Sequence, residues 1–124
     1  AEAGQDDRVS TMLNFVPDDQ VKDYFSAADF SILPQEKFLN SGSALVSLSF
    51  DCPVLAAEKG SLVELQEHVG SDWVRLFRGS RLTRNDIKES IRWSEDVKSK
   101  NCTPIEKLNW GSIAMKTYSF YCRI

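Results

Sequence analysis

Between Phe30 and Ala57 the sequence runs through an apolar strand, a loop holding Asn40-Ser41-Gly42-Ser43, a helix of small residues and a second apolar strand opened by Pro53. Two strands joined through a helix cannot pair as a hairpin; the crossover makes them parallel, and parallel strands are covered on both faces. Pro34, with no N–H for a ladder and a restricting effect on its predecessor, ends the first strand at Leu33. Pro53-Val54-Leu55-Ala56-Ala57 has no polar alternation and reads as a fully covered strand. Ala44, Leu45, Val46, Leu48 and Phe50 make the intervening helix apolar on most sides, which predicts its burial.

The loop between them has chemistry. Ser41 or Ser43 suits an N-cap, and Gly42 permits close approach to the main chain. A helix start presents amides without acceptors at the positive end of the peptide dipoles, which favours an anion such as phosphate. In parallel sheets ligands sit outside the carboxyl ends of the strands, where this loop falls. A turn plus a cap is the plainer reading of Ser-Gly-Ser, and the pattern alone leaves both open. Lys59, in Glu58-Lys59-Gly60-Ser61 after the second strand, falls at the same edge and is a further candidate to meet a phosphate; a surface lysine is its plainer reading.

The rest of the chain fits the same layer. Val9 to Val16 alternates loosely and suits a strand. Pro17-Asp18-Asp19 opens a helix whose Val21, Tyr24, Phe25 and Ala28 lay one stripe against the sheet. Leu62, Leu65 and Val69 line a helix that Gly70 ends, and Trp73 to Phe77 is the last strand. Thr83, with Asp86 three residues on, starts a helix reaching about Glu95 or Val97, with a staple between Leu82 and Ile87. Thr103-Pro104 is another start and Asn109 a second one, leading to a terminal helix with Trp110, Ile113, Ala114, Thr117, Tyr118 and Tyr121 on one aromatic face. Residues 1–8 are polar and read as a disordered or extraneous tail, residues 9–124 as one partial domain with its last helix at about 104–122.

Composition closes several classes. With 15 Lys and Arg against 18 Asp and Glu, no basic surface is available for a nucleic-acid backbone. No apolar run approaches the roughly 18 to 20 residues of a bilayer span, and there is no signal-peptide pattern. Cys52, Cys102 and Cys122 are odd in number and far apart, which suits reduced thiols in a cytoplasm, with Cys52 in the core and Cys122 exposed. His68 is the single histidine and has neither a metal-ligand pattern nor a nucleophile arranged with it. Asp18-Asp19 reads as helix-start carboxylates rather than a metal pair, and Glu64 as a helix-start charge.

Asn14-Phe15-Val16-Pro17, Tyr24 to Phe30, Leu33-Pro34, Leu39 to Ala44, Pro53 to Ala56 and Gly60 to Leu65, in that order, resemble the nucleotide-sugar-binding half of family 4 glycosyltransferases of the GT-B type. The likeness covers residues 8 to 80, and Asn-Ser-Gly-Ser before the helix looks like a bacterial subgroup associated with exopolysaccharide or glycolipid assembly. It implies a Rossmann-like parallel sheet with flanking helices, an incomplete GT-B C-terminal domain. It also implies a UDP- or GDP-sugar donor whose diphosphate meets Asn40, Ser41, Gly42 and Ser43, no metal or other cofactor, and retention of the donor's anomeric configuration. The acceptor, a glycan or a lipid-linked one, would be held by a first domain that nothing here matches. The expectation is therefore a piece of a longer enzyme, inactive alone, cytoplasmic or peripheral at the inner face of the membrane. Its sheet would be completed by further strands or by a second copy of the chain. One departure matters: the two glutamates that the family separates by seven intervening residues, the second on the ribose, fall here on Phe38 and Val46, and Glu36 is only a nearby loop charge. Two other readings stay open, a non-catalytic nucleotide or phosphate module and an α/β interaction domain using the Trp110 to Tyr121 face.

Overall fold

The computed structural model describes residues 6–34, 42–98 and 102–122. The elements run α1 (Asp18–Ala27), β1 (Ser31–Leu33), α2 (Gly42–Ser49), β2 (Val54–Ala57), α3 (Ser61–Val69), β3 (Val74–Phe77), α4 (Arg84–Lys98), a 3₁₀ turn (Ile105–Leu108) and α5 (Trp110–Tyr121). The three strands form one parallel sheet in the order β1-β2-β3. This is the parallel α/β sheet with flanking helices that the strand-loop-helix-strand pattern predicts, and the Rossmann-like partial layer that the resemblance implies.

All four residues of β2 are buried, which fits a central strand covered on both sides. The register sets Ser31 beside Val54 beside Val74 and Leu55 beside Arg75, so alternate residues sort onto two faces. On the first, Val54, Ala56 and Val74 pack with Ala44 and Leu48 of α2 and with Leu62, Leu65 and Val69 of α3. On the second, Leu55, Ala57 and Phe77 meet Phe30 and Leu82, and Arg75 reaches Glu89 of α4 at 2.6 Å. α4 presents a stripe of Ser90, Ser94 and Val97, all buried. Its serine hydroxyls bond back to Asp86 and Ile91 carbonyls, at 2.6 and 2.8 Å, which satisfies them inside the helix.

α2 is held close to β1 by a serine pair. Ser47 Oγ donates to the Cys52 carbonyl at 2.9 Å and lies 2.8 Å from Ser31 Oγ. A hydroxyl has one proton, so Ser31 is the donor to Ser47. Cys52 is buried as expected, and burial, the largest influence on it, pushes its thiol pKa up.

Several expectations fail at the periphery. Val9 to Val16 forms no strand: Val9, Met12, Leu13 and Phe15 are exposed and the segment is irregular. Loose alternation makes a strand only with a ladder partner and a face to cover, and the segment has neither among the described residues. Within the expected tail, Asp6 to Arg8 is an ordered turn closed by an Arg8–Asp6 ion pair at 2.6 Å that holds the Asp6 carboxyl below its usual pKa. α1 buries no residue; Phe25 stacks on Phe50 at 5.8 Å, while Tyr24 and Ala28 stay exposed, so the stripe meets the end of α2 instead of a sheet face. α2 is half covered, with Leu45 and Val46 exposed. The terminal helix starts at Trp110, the second of the two expected starts, after the 3₁₀ turn opened by Pro104.

Candidate functional site

α2, α3 and α4 each follow a strand in the chain, which puts their starts on the side of the carboxyl ends of the strands. The local sequence makes each start. β1 ends at Pro34, and α2 begins at Gly42, with Gly42 and Ser43 both exposed. The amides of Gly42, Ser43 and Ala44 lie in the first turn, where helix geometry supplies no intrahelical acceptor. A Cβ built on Gly42 meets nothing within 4 Å, so the main chain there is open to a ligand. Asn40 and Ser41, the other two predicted loop residues, lie outside the described residues.

After β2, Glu58 and Lys59 are exposed on the same rim, and Gly60 enters α3 with φ 52° and ψ −132°, a conformation that L side chains rarely adopt. Gly60 caps α3 without a side-chain bond, and Ser61 Oγ is buried with no hydrogen-bond partner among the described residues. Past β3, Arg78 donates to Glu58 at 2.8 Å across the rim. Arg81 and Arg84 follow, both exposed. Thr83 and Asp86 form a reciprocal cap: Thr83 N–H and Oγ1 donate to Asp86 Oδ2 at 2.8 and 2.6 Å, and Asp86 N–H donates to Thr83 Oγ1 at 3.2 Å. These bonds lower the Asp86 carboxyl pKa. Arg84 sits in the first turn of α4, where the dipole disfavours a cation.

Gly42, Ser43 and Lys59 thus follow the carboxyl ends of β1 and β2 on one rim, with Ser61, the loop residues Arg78 and Arg81, and Arg84 at the start of α4 on the same side. Neighbouring strands lie about 4.8 Å apart, so the β1 and β3 ends of this rim are separated by about 10 Å. Sequence reasoning missed the arginines as a group, although their spacing of three between the last strand and the start of the next helix was there to be read. Ser61 was named only as part of Glu58-Lys59-Gly60-Ser61, and no signal in the sequence marks its hydroxyl as one that folding leaves without a partner among the described residues.

A concavity lies at the opposite rim of the sheet. A cavity of about 410 Å³ is lined by Phe25, Asp29, Phe50, Asp51, Pro53, Trp73, Val97 and Cys102 among others, at the amino ends of the strands. Among the described residues no three His, Cys, Asp or Glu side chains converge as metal ligands. His68 Nδ1 lies 2.7 Å from the Glu64 carbonyl, which can only accept; Nδ1 therefore carries the proton, and the ring is tied to its own helix.

Fold and rim together define a class: a parallel α/β layer with several helix starts gathered at its carboxyl edge. The chain is similar to two proteins, each named GDP-mannose:glycolipid 4-beta-D-mannosyltransferase, one from Xanthomonas campestris pv. campestris strain ATCC 33913, the other from the same pathovar. Identity is 37% and 36% over 75 residues, 60% of this chain and 22% of either relative, so the chain spans about a fifth of their length. No family model and no solved structure matches.

Proposed function

We propose that this chain is the donor-binding part of a glycosyltransferase that moves mannose from GDP-mannose to a glycolipid acceptor. The carrying observation is the identity of 36% to 37% over 75 residues with two relatives of that name. The open start of α2 on the carboxyl rim supports the same reading.

Transfer from a nucleotide donor asks this part of an enzyme to orient a diphosphate and to stabilise its charge as the bond to the sugar breaks. Amides at a helix start do both without moving a proton, and a preorganised donor does not have to reorient as charge develops. Asn40, Ser41, Gly42 and Ser43 take the diphosphate in this reading, Lys59 adds charge beside it, and Arg81 and Arg84 do so from the far end of the rim. The GT-B resemblance implies metal-independent chemistry, and we assign no metal or cofactor. The β linkage in the relatives' name favours inversion when the donor is α-linked, against the retention that the wider resemblance implies; the anomer of the product decides between them. Catalytic base and acceptor pocket are assigned to parts of a longer protein, as is the strand that would pair with the outer edge of β1. A second copy of the chain is the alternative source of that strand. Exopolysaccharide or glycolipid assembly at the cytoplasmic face of a membrane is the setting that such an acceptor requires.

Thermal-shift titration of the chain with GDP, GDP-mannose, UDP and ADP tests the reading. GDP and GDP-mannose should raise the melting temperature as mass action requires. Gly42→Glu should weaken that response at least about tenfold, roughly 1.4 kcal/mol, by placing a carboxylate where the diphosphate sits. The variant should fold, because the added side chain has open space and an acid suits a helix start. No shift with any nucleotide, or a shift that Gly42→Glu leaves unchanged, would remove the donor-site assignment.

A further inference from the structure

We infer that Ser47 is a positioning residue of the donor site: a closed ring of hydrogen bonds through its hydroxyl fixes α2 on the sheet and so sets where the amides of Gly42 and Ser43 stand on the carboxyl rim. The inference rests on the donor-site reading above and deepens it.

α2 is eight residues long, and its covered face is Ala44, Ser47 and Leu48, at i, i+3 and i+4. Ala44 and Leu48 belong to the core cluster that holds Val54 and Ala56 of β2. Apolar contact has no preferred direction. With one alanine and one leucine on that face, it sets the distance of the helix from the sheet more closely than its place along its own axis.

Ser47 supplies the missing direction. It is fully buried, and its hydroxyl donates to the Cys52 carbonyl at 2.9 Å while accepting from Ser31 Oγ at 2.8 Å. Its own carbonyl accepts from Cys52 N–H at 3.0 Å, so Ser47 and Cys52 exchange two bonds across the turn that leaves α2. Ser31 N–H in turn donates to the carbonyl of Pro53, the residue after Cys52, at 2.8 Å. Helix, first strand and the approach to the second strand are tied into one ring. Among the described residues, the side-chain hydrogen bonds that leave α2 for either strand pass through Ser47, since Ser49 bonds back to Val46 within the helix. Water does not readily replace a partner lost from such a buried set.

A short helix is stiff, so an anchor at one end fixes the other. Ser43 lies one turn before Ser47, about 6 Å along the axis. The useful range of an N–H···O distance is about 0.5 Å wide. Amides at the start of α2 are therefore a preformed cradle for phosphate oxygens only while the anchored end holds to better than that, and holding it beforehand removes an ordering cost from binding.

Calorimetric titration of the 124-residue chain with GDP, beside amide-resolved NMR of the free protein, tests the role. Ser47→Ala should weaken GDP binding by at least about fivefold, the worth of roughly one amide hydrogen bond, and Ser31→Ala, which spares the bond from Ser47 to Cys52, by about twofold. Ser47→Ala should also move the Gly42 and Ser43 amide resonances before any nucleotide is added. Val69→Ala, buried at the far end of α3, should lower the melting temperature through its cavity and leave GDP affinity unchanged. That contrast separates positioning from general stability. Wild-type affinity retained in Ser47→Ala overturns the positioning role and spares the donor site; so does a loss of affinity that Val69→Ala reproduces. If Ser47→Ala does not fold, Ser31→Ala decides, and full affinity there overturns the role. Absence of GDP binding by the wild type removes the donor-site reading, and the positioning role with it.

Discussion

The two rims of the sheet differ in a way that shape alone would misjudge. The amino rim has the cavity, about 410 Å³, but the carboxyl ends of α2, α3 and α4 converge toward that side, and Asp29 and Asp51 line it. Partial negative charge from the helix ends and two carboxylates make it hostile to phosphate. The carboxyl rim is open, and it collects three helix starts, Gly42, Ser43, Lys59, Arg78 and Arg81 of the loop after β3, and Arg84 in the first turn of α4. Concavity marks where ligands are commonly found, but the direction of the backbone dipoles decides which sign of charge a rim accepts. For a diphosphate, the proposed donor site therefore belongs to the shallow rim and not to the deep one.

The largest expected effect on stability that sharpens this contrast is at Gly60. Its φ of 52° with ψ of −132° is strained for any side chain, so Gly60→Ala should cost roughly 1 to 3 kcal/mol and weaken GDP binding as well, both read by denaturation and titration. On the other rim, Asp51 accepts from Thr103 N–H at 2.8 Å and has φ 55°. Asp51→Ala should cost about 1 to 2 kcal/mol through the lost bond and the left-handed backbone. It should leave the nucleotide response intact, and a loss of GDP binding in Asp51→Ala would break the contrast.

A smaller effect is the pH dependence of the α4 cap. Thr83 hydrogen bonds lower the folded pKa of Asp86 below its unfolded value, so the cap contributes stability above the ordinary carboxylate range. That contribution is lost as pH falls through the folded pKa, below about 4. Melting curves of the wild type and Asp86→Asn should differ near neutrality and converge in acid; a gap that persists in acid would contradict the assignment.

The covered parts of this fold were legible because their residues have little alternative. Pro34 and Pro53 bracket the strand-helix-strand unit, the run Val54 to Ala57 has no polar residue to expose, and Thr83 with Asp86 announces a helix start that forms as written. Val9 to Val16 misled, since alternation at a periphery specifies a strand only if another strand is there to receive it. The stripe on α1 misled for a related reason: its Phe25 found Phe50, not a sheet face. Of the candidate site, Gly42, Ser43 and Lys59 were singled out by their position after strands, and each does follow the carboxyl end of a strand. The arginine loop was overlooked because surface charges after a strand carry no local signal of what they face. Gly60 was readable as a glycine but not as a residue in a conformation that requires one.

Which rim a nucleotide touches decides between the two. Amide-resolved NMR of the uniformly labelled chain during titration with GDP measures this directly. The predicted result is saturable shifts at Gly42, Ser43, Gly60 and Ser61, with Asp29, Asp51 and Trp73 unmoved. Shifts centred on Asp51 and Trp73, or no shift at any described amide at millimolar GDP, would contradict it.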